Sequence, residues 1–109
     1  MVERMSDLKN GLTFETFSKI MTCDIIGKQC IEAWFCVNGF ERYHSSWLGK
    51  LIDKDTQKPV YWFGLEEDGS EAYEFETFEE LVSAKVFLNK NIREIWNLLS
   101  FFSIESYNN

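Results

Sequence analysis

The chain has 109 residues with a formal net charge of −7, and 45% of its residues are hydrophobic and 17% aromatic. This length corresponds to a single domain over residues 1–109, and the aromatic content excludes a disordered chain. The excess of acids disfavours nucleic acid or an anionic membrane surface as a partner, because both need a basic face. The sequence has no apolar leader segment and no run of about 18 apolar residues, so we expect a cytoplasmic protein.

The first predicted element is a helix over residues 13–22, with Thr13 as its N-cap. Its apolar face recurs at the helical period and consists of Phe14, Phe17, Ile20 and Met21. Leu12 precedes the cap and Phe17 follows it at the spacing of a hydrophobic staple.

The segment 29–37 fits two structures. Its continuous apolar character favours a strand buried on both faces, and Asn38-Gly39 after it is a strong hairpin signal. The same dipeptide also suits the C-terminal cap of a helix. We favour the strand.

Three strands are predicted next, over residues 46–53, 59–66 and 71–76, joined by a polar connector and by a tight turn at Asp68-Gly69. The first two contain Trp47-Leu48-Gly49 and Trp62-Phe63-Gly64. Glycine inside a strand often marks a close approach. Each Trp therefore either packs over the glycine of its neighbour or belongs to an exposed aromatic platform that binds a partner.

The last third of the chain carries two capping-box patterns, Thr77–Glu80 and Asn91–Glu94, each predicting the start of a helix. Residues 101–106 are predicted to form a closing strand. Together these elements predict an α+β fold, in which an antiparallel β-sheet meander has helices packed on one face.

The chemistry-bearing residues match no catalytic or metal-binding motif. Cys23, Cys30 and Cys36 lack the spacing of a zinc site, and His44 is the one histidine. We therefore predict no catalytic residues, no metal and no cofactor, and reduced, buried thiols. A Cys–His pair brought together by the fold is left open as an alternative.

Eight carboxylates lie within residues 66–80, with no Lys or Arg among them: Glu66, Glu67, Asp68, Glu71, Glu74, Glu76, Glu79 and Glu80. The remainder of the chain is nearly neutral. One interpretation is a charged sheet edge that prevents aggregation. The other is a docking surface for a basic protein. For that surface we predict the carboxylates within residues 66–76, with Trp47 and Trp62 as anchors.

Residues 44–105 carry a recurrent pattern of aromatic and acidic residues. Its main parts are Ser46-Trp47-Leu48-Gly49-Lys50, Tyr61-Trp62-Phe63-Gly64-Leu65 and Tyr73-Glu74-Phe75-Glu76-Thr77-Phe78, followed by Ile92-Arg93-Glu94-Ile95-Trp96. In this pattern the chain resembles small acidic immunity proteins of bacterial polymorphic-toxin and contact-dependent inhibition systems. The resemblance implies a cytoplasmic protein that occludes a cognate toxin domain with a basic surface, often a nuclease, without chemistry of its own.

Two alternatives to the immunity function stay open. One is a small-molecule-binding or enzymatic domain with an aromatic pocket around the Trp residues and His44. The other is a mimic of nucleic acid, which would need its carboxylates spread in two rows rather than clustered. The sequence does not specify an oligomeric state.

Overall fold

The computed structural model describes residues 3–4, 12–22, 29–66 and 70–108. The strands are β1 (Glu3–Arg4), β2 (Gln29–Val37), β3 (Ser46–Ile52), β4 (Pro59–Leu65), β5 (Glu71–Phe75) and β6 (Leu99–Asn108). The helices are α1 (Phe14–Thr22) and α2 (Phe78–Ser83), and two single 3₁₀ turns cover Glu41–Tyr43 and Trp96–Leu98.

The strands form one antiparallel sheet in the order β1-β6-β2-β3-β4-β5. Strands β2 to β5 form a meander, in which each strand pairs with the next one along the chain. Strand β6 then returns to pair with β2 on its other side. The predicted α+β class, the three meander strands, the closing strand and the strand over 29–37 are all confirmed.

Helix α1 begins where its sequence predicts. The backbone N–H of Thr16 donates to Thr13 Oγ1 at 3.1 Å, which satisfies one of the amides left without a partner at a helix start. Phe17 and Met21 are fully buried on the sheet side, and burying a side chain of this size stabilises the fold by about 1.5–3 kcal/mol.

The hydrophobic core lies on one face of the sheet, beneath the helices. Phe17 of α1 contacts Phe101 of β6 and Phe78 of α2, with ring centroids 6.1 and 5.9 Å apart. At the other end of the core, Phe87 packs on Phe63 and on Tyr43 at 5.4 Å. Edge-on and tilted aromatic contacts of this kind add stability beyond the area they bury.

Helix α2 has the predicted capping box. Thr77 Oγ1 accepts from the backbone N–H of Glu80 at 3.1 Å, and the Glu80 carboxylate accepts from the backbone N–H of Thr77 at the same distance. Leu81 and Val82 are buried against the sheet. The prediction is confirmed, and the helix ends after six residues.

The prediction of a last helix after Asn91 is wrong. The hydrogen bonds of the box form, with Glu94 N–H donating to Asn91 Oδ1 at 3.0 Å, but the chain continues only in turns and the 3₁₀ turn Trp96–Leu98. Strand pairing explains this, because β6 pairs with β2 from Leu99 onwards. The residues from Leu99 onwards are therefore not available to extend a helix.

The hairpin that Asn38-Gly39 indicates is present, since β2 and β3 pair antiparallel, but the connection is longer than a two-residue turn. Eight residues, 38–45, separate β2 from β3 and include the 3₁₀ turn Glu41–Tyr43. Asn38 is tied to the opposite neighbour of β2, because its backbone N–H donates to the Leu98 carbonyl at 2.7 Å and its side-chain amide donates to Ser100 Oγ at 2.8 Å. Gly39 has φ +88°, in the left-handed region that glycine adopts without strain.

The apolar character of β2 suggests burial on both of its faces. The structure places only one of these faces in the core. Ala33 and Phe35 lie in the core, whereas Glu32 and Trp34, which alternate with them, are half-buried on the opposite face. The predicted tight turn at Asp68-Gly69 lies outside the described residues. None of the helices in the described part of the chain has the length and apolar character needed to cross a membrane.

Candidate functional site

The face of the sheet opposite the helices, called here the open face, carries three of the four tryptophans. Trp34 of β2, Trp47 of β3 and Trp62 of β4 alternate with core residues along their strands, and each is half-buried. Phe102 and Leu51 on the same face are 41% and 43% exposed. The described helices pack on the other face, so none of them covers these side chains.

The aromatic rings of the open face are held by one another. Trp34 and Trp47 lie directly opposite in the β2–β3 pairing and stack with centroids 5.6 Å apart at an interplanar angle of 10°. Phe102 approaches Trp34 at 4.6 Å. The Trp34 indole N–H donates to Ser45 Oγ at 2.9 Å. These contacts hold the rings in one arrangement.

Each tryptophan of the two Trp-x-Gly segments lies opposite the glycine of the other. Trp62 pairs with Gly49, and Trp47 pairs with Gly64. A Cβ atom on Gly49 would lie 2.6 Å from Trp62 Cζ2, so the indole occupies the space above this glycine. The prediction that a Trp packs over the glycine of its neighbour is confirmed for Trp62 and Gly49, but the Trp47 ring does not cover Gly64.

A β-bulge in β6 brings Phe102 onto the open face. Trp34 lies opposite Ser103 and Phe35 opposite Phe101, which leaves Phe102 as an extra residue. With the extra residue, Phe101 and Ile104 both face the core although they are three positions apart. Bulges commonly redirect a side chain in this way.

The described residues of the acidic segment do not form one continuous surface, which corrects the sequence-based expectation for Glu66 and Glu71. Both carboxylates form ion pairs with Arg42, and Arg42 Nε lies 3.2 Å from Glu66 Oε1. Tyr73 Oη also donates to Glu71 Oε2 at 2.7 Å, a hydrogen bond that raises the pKa of Tyr73. The side chains that face the core from β5 are Glu71, Tyr73 and Phe75, so Glu71 belongs to the helix side.

The remaining acids fall into two groups. Glu79 and Glu80 act locally, since Glu79 accepts from Arg93 at 2.9 Å and Glu80 closes the capping box. Glu74 and Glu76 are exposed, and neither contacts a cationic side chain among the described residues. Glu74 lies directly opposite Trp62 and so borders the open face. The other two predicted residues, Glu67 and Asp68, lie outside the described residues.

Glu32, which the sequence-based prediction of the site missed, lies in the middle of the open face. It pairs with Gly49 on one side and with Glu105 on the other. The backbone register continues this row to Arg4 of β1, opposite Glu105. The signal for Glu32 was a single acid between apolar residues in β2, because alternation places Glu32 and Trp34 on one face.

His44 does not join the tryptophans in a pocket. It lines a depression of about 390 Å³ with Cys36, Asn38 and Phe40, and no tryptophan lines it. Cys30 is buried and Cys36 half-buried, both as free thiols, while Cys23 lies outside the described residues. Within the described ranges, no three His, Cys, Asp or Glu side chains converge on a point where they could hold a metal ion.

The open face thus combines aromatic and acidic side chains on one side of the sheet. Its aromatic rings are bordered by carboxylates. The other face of the sheet packs on the hydrophobic core. Comparison of the chain with protein-family models, with curated proteins and with solved structures finds no match in any of the three.

Proposed function

We propose that this protein is an immunity protein, which binds a toxin domain with a basic surface and blocks it through the open face. The observation that carries the proposal is the combination of Trp34, Trp47 and Trp62 with bordering carboxylates on one uncovered side of the sheet. Tryptophan is enriched in the residues that dominate binding energy at protein interfaces. The net charge of −7 complements a cationic partner.

The dimensions of the open face fit this role. Five neighbouring strands at a spacing of about 4.8 Å, each about seven residues long, give a layer of roughly 20 by 23 Å. An area of this size can supply the centre of an interface that buries about 800 Å² on each partner. The sheet edges and the nearby turns would supply the polar rim.

The proposed mechanism is occlusion. A nuclease toxin holds phosphates with a basic surface, and an acidic protein docked there or beside it excludes the substrate. The carboxylates steer the approach and raise the association rate, while the aromatic rings slow dissociation through desolvated contacts. In this proposal the protein works in the cytoplasm of the cell that it protects.

The test begins with the product of the neighbouring gene, which the proposal predicts to be a toxin domain with a basic surface. Glu74→Lys reverses a charge at the border of the open face, and Glu15→Lys makes the same change on α1, on the opposite side. Glu15 contributes only an exposed ion pair with Lys19, so its loss changes stability little. We measure association rates by stopped-flow fluorescence at low salt, and protection by co-expression.

We expect Glu74→Lys to slow association roughly threefold to tenfold, since electrostatic steering acts mainly on the on-rate. Glu15→Lys should slow it much less. Equal association rates for the two variants at low salt, or the absence of protection by the unmodified protein, would contradict the proposal.

A further inference from the structure

One row of open-face positions crosses the sheet at Glu32 and includes acidic as well as aromatic side chains. From β6 to β5 it reads Glu105, Glu32, Gly49, Trp62 and Glu74, each directly opposite the next. Glu32 lies at the centre of this row and is half-buried. Because removing a carboxylate from water is unfavourable unless a cation pairs with it, Glu32 favours a cation bound beside it.

Because Gly49 has no side chain, an indole can lie next to Glu32. Trp62 extends from β4 towards β3, so that its six-membered ring lies over Gly49. Gly49 is the direct neighbour of Glu32 in the sheet. Glu32 and the position covered by the Trp62 ring are therefore direct neighbours on adjacent strands.

A second indole borders the same position. Trp34 lies two residues after Glu32 on β2 and faces the same side, stacked on Trp47 and hydrogen-bonded to Ser45. Glu32 is therefore flanked by aromatic rings along its strand and across the sheet. These rings are already fixed in the unbound protein.

We propose that Glu32, with the indoles of Trp34 and Trp62, forms a receptor for one arginine side chain of the partner protein. A guanidinium is planar and weakly hydrated, so it can stack on an indole while it donates hydrogen bonds to a carboxylate. A lysine ammonium is more strongly hydrated and lacks the planar surface that stacks. The receptor lies within the proposed binding face, so its biological role rests on the proposed function.

The receptor can be tested without the partner, by NMR titration of the four indole N–H signals. The probe is N-acetyl-L-argininamide, and the matched neutral probe is N-acetyl-L-citrullinamide, which has a urea group in place of the guanidinium. Trp96 serves as an internal reference, because its indole N–H donates to the Leu12 carbonyl on the helix side of the sheet. A third probe, N-acetyl-L-lysinamide, tests whether the receptor binds a guanidinium more tightly than an ammonium group.

We expect the signals of Trp34 and Trp62 to shift saturably with argininamide, with a Kd on the order of millimolar, while Trp96 stays in place. Lysinamide should bind more weakly, and citrullinamide should cause no saturable shift. Glu32→Gln should weaken argininamide binding roughly threefold, as expected for a partly exposed ion pair. Glu15→Gln, on the opposite side of the molecule, should leave the binding unchanged.

Equal shifts with argininamide and citrullinamide, equal binding of lysinamide, or identical titrations of Glu32→Gln and Glu15→Gln would each overturn the inference. Its failure is separable from that of the proposed function. If argininamide does not bind but Glu74→Lys still slows association with the toxin domain, the receptor is wrong and the binding face stands. If argininamide binds but Glu74→Lys has no effect on association, the proposed function is the part that fails.

Discussion

At the scale of single residues, Gly49 and Gly64 have different roles although their sequence contexts match. A Cβ on Gly49 would overlap the Ile31 carbonyl oxygen and the Trp62 ring. A Cβ on Gly64 would meet only ordinary contacts, at 3.8 Å from Trp62 and 4.0 Å from Trp47. The repeated Trp-x-Gly spacing predicts the close packing of Trp on Gly, but not which glycine tolerates a side chain.

We therefore expect Gly49→Ala to lower the free energy of unfolding by about 2–3 kcal/mol, because the added methyl group overpacks a closed space. Gly64→Ala is the matched control. It should leave the free energy of unfolding unchanged or raise it by up to about 1 kcal/mol, since alanine restricts the unfolded chain. Urea unfolding followed by Trp fluorescence measures both. Similar losses for the two variants would contradict the packing described for Trp62.

Single residues also show where the sequence is informative and where it misleads. Lys50 falls between Leu48 and Ile52 in the alternation of β3, and the structure buries it on their face, at 2% exposed. Charge alone would have placed it in solvent. Conversely, the apolar character of β2 predicts burial of both its faces. Alternation along the strand instead places Glu32 and Trp34 on the face opposite the core.

At the scale of elements, local signals predict the start of a helix better than its continuation. The capping boxes at Thr77 and Asn91 both form their hydrogen bonds, yet only the first opens an α-helix. The difference lies in long-range pairing, because the register between β2 and β6 includes Leu99. A single sequence contains no direct record of that register.

The turn between β3 and β4 is held by a carboxylate. Asp53 Oδ1 accepts from the backbone N–H groups of Thr56 and Asp55, at 3.0 and 2.8 Å. These hydrogen bonds, with that of Thr56 the strongest cause, lower the pKa of Asp53 below its ordinary value of 3.8. A carboxyl group whose pKa is lower in the folded state stabilises the fold above its unfolded pKa, and this contribution is lost as the pH falls through the folded pKa.

We accordingly expect the free energy of unfolding to fall as the pH is lowered below about 4, and Asp53→Asn to make this decline shallower. The asparagine oxygen can still accept from the two amides but does not titrate. Asp55→Asn is the control in the same turn, because the Asp55 carboxylate makes no hydrogen bond within the described part of the chain. Urea unfolding across the acidic range measures the slopes. An unchanged slope for Asp53→Asn would contradict this account of the turn.

At the scale of the whole molecule, the fold separates charges that are adjacent in sequence. Alternation along β5 puts Glu71 on the core side, where Arg42 binds it, and puts Glu74 on the open face. The concentration of acids in the chain predicted a single surface, which the structure divides. The aromatic part of the site was partly predictable, since Trp47 and Trp62 stand out in the sequence, whereas Trp34 and Phe102 depend on the sheet register and on the bulge.

The most direct test of the account is hydroxyl-radical footprinting of the side chains, with and without the cognate toxin domain, read by mass spectrometry. The account predicts that binding protects Trp34, Trp47, Trp62 and Phe102 from oxidation. Leu88, away from the open face and 54% exposed, should be oxidised equally in both states. Protection of Leu88 with unchanged oxidation of the open-face residues would contradict the claim that the open face binds the partner.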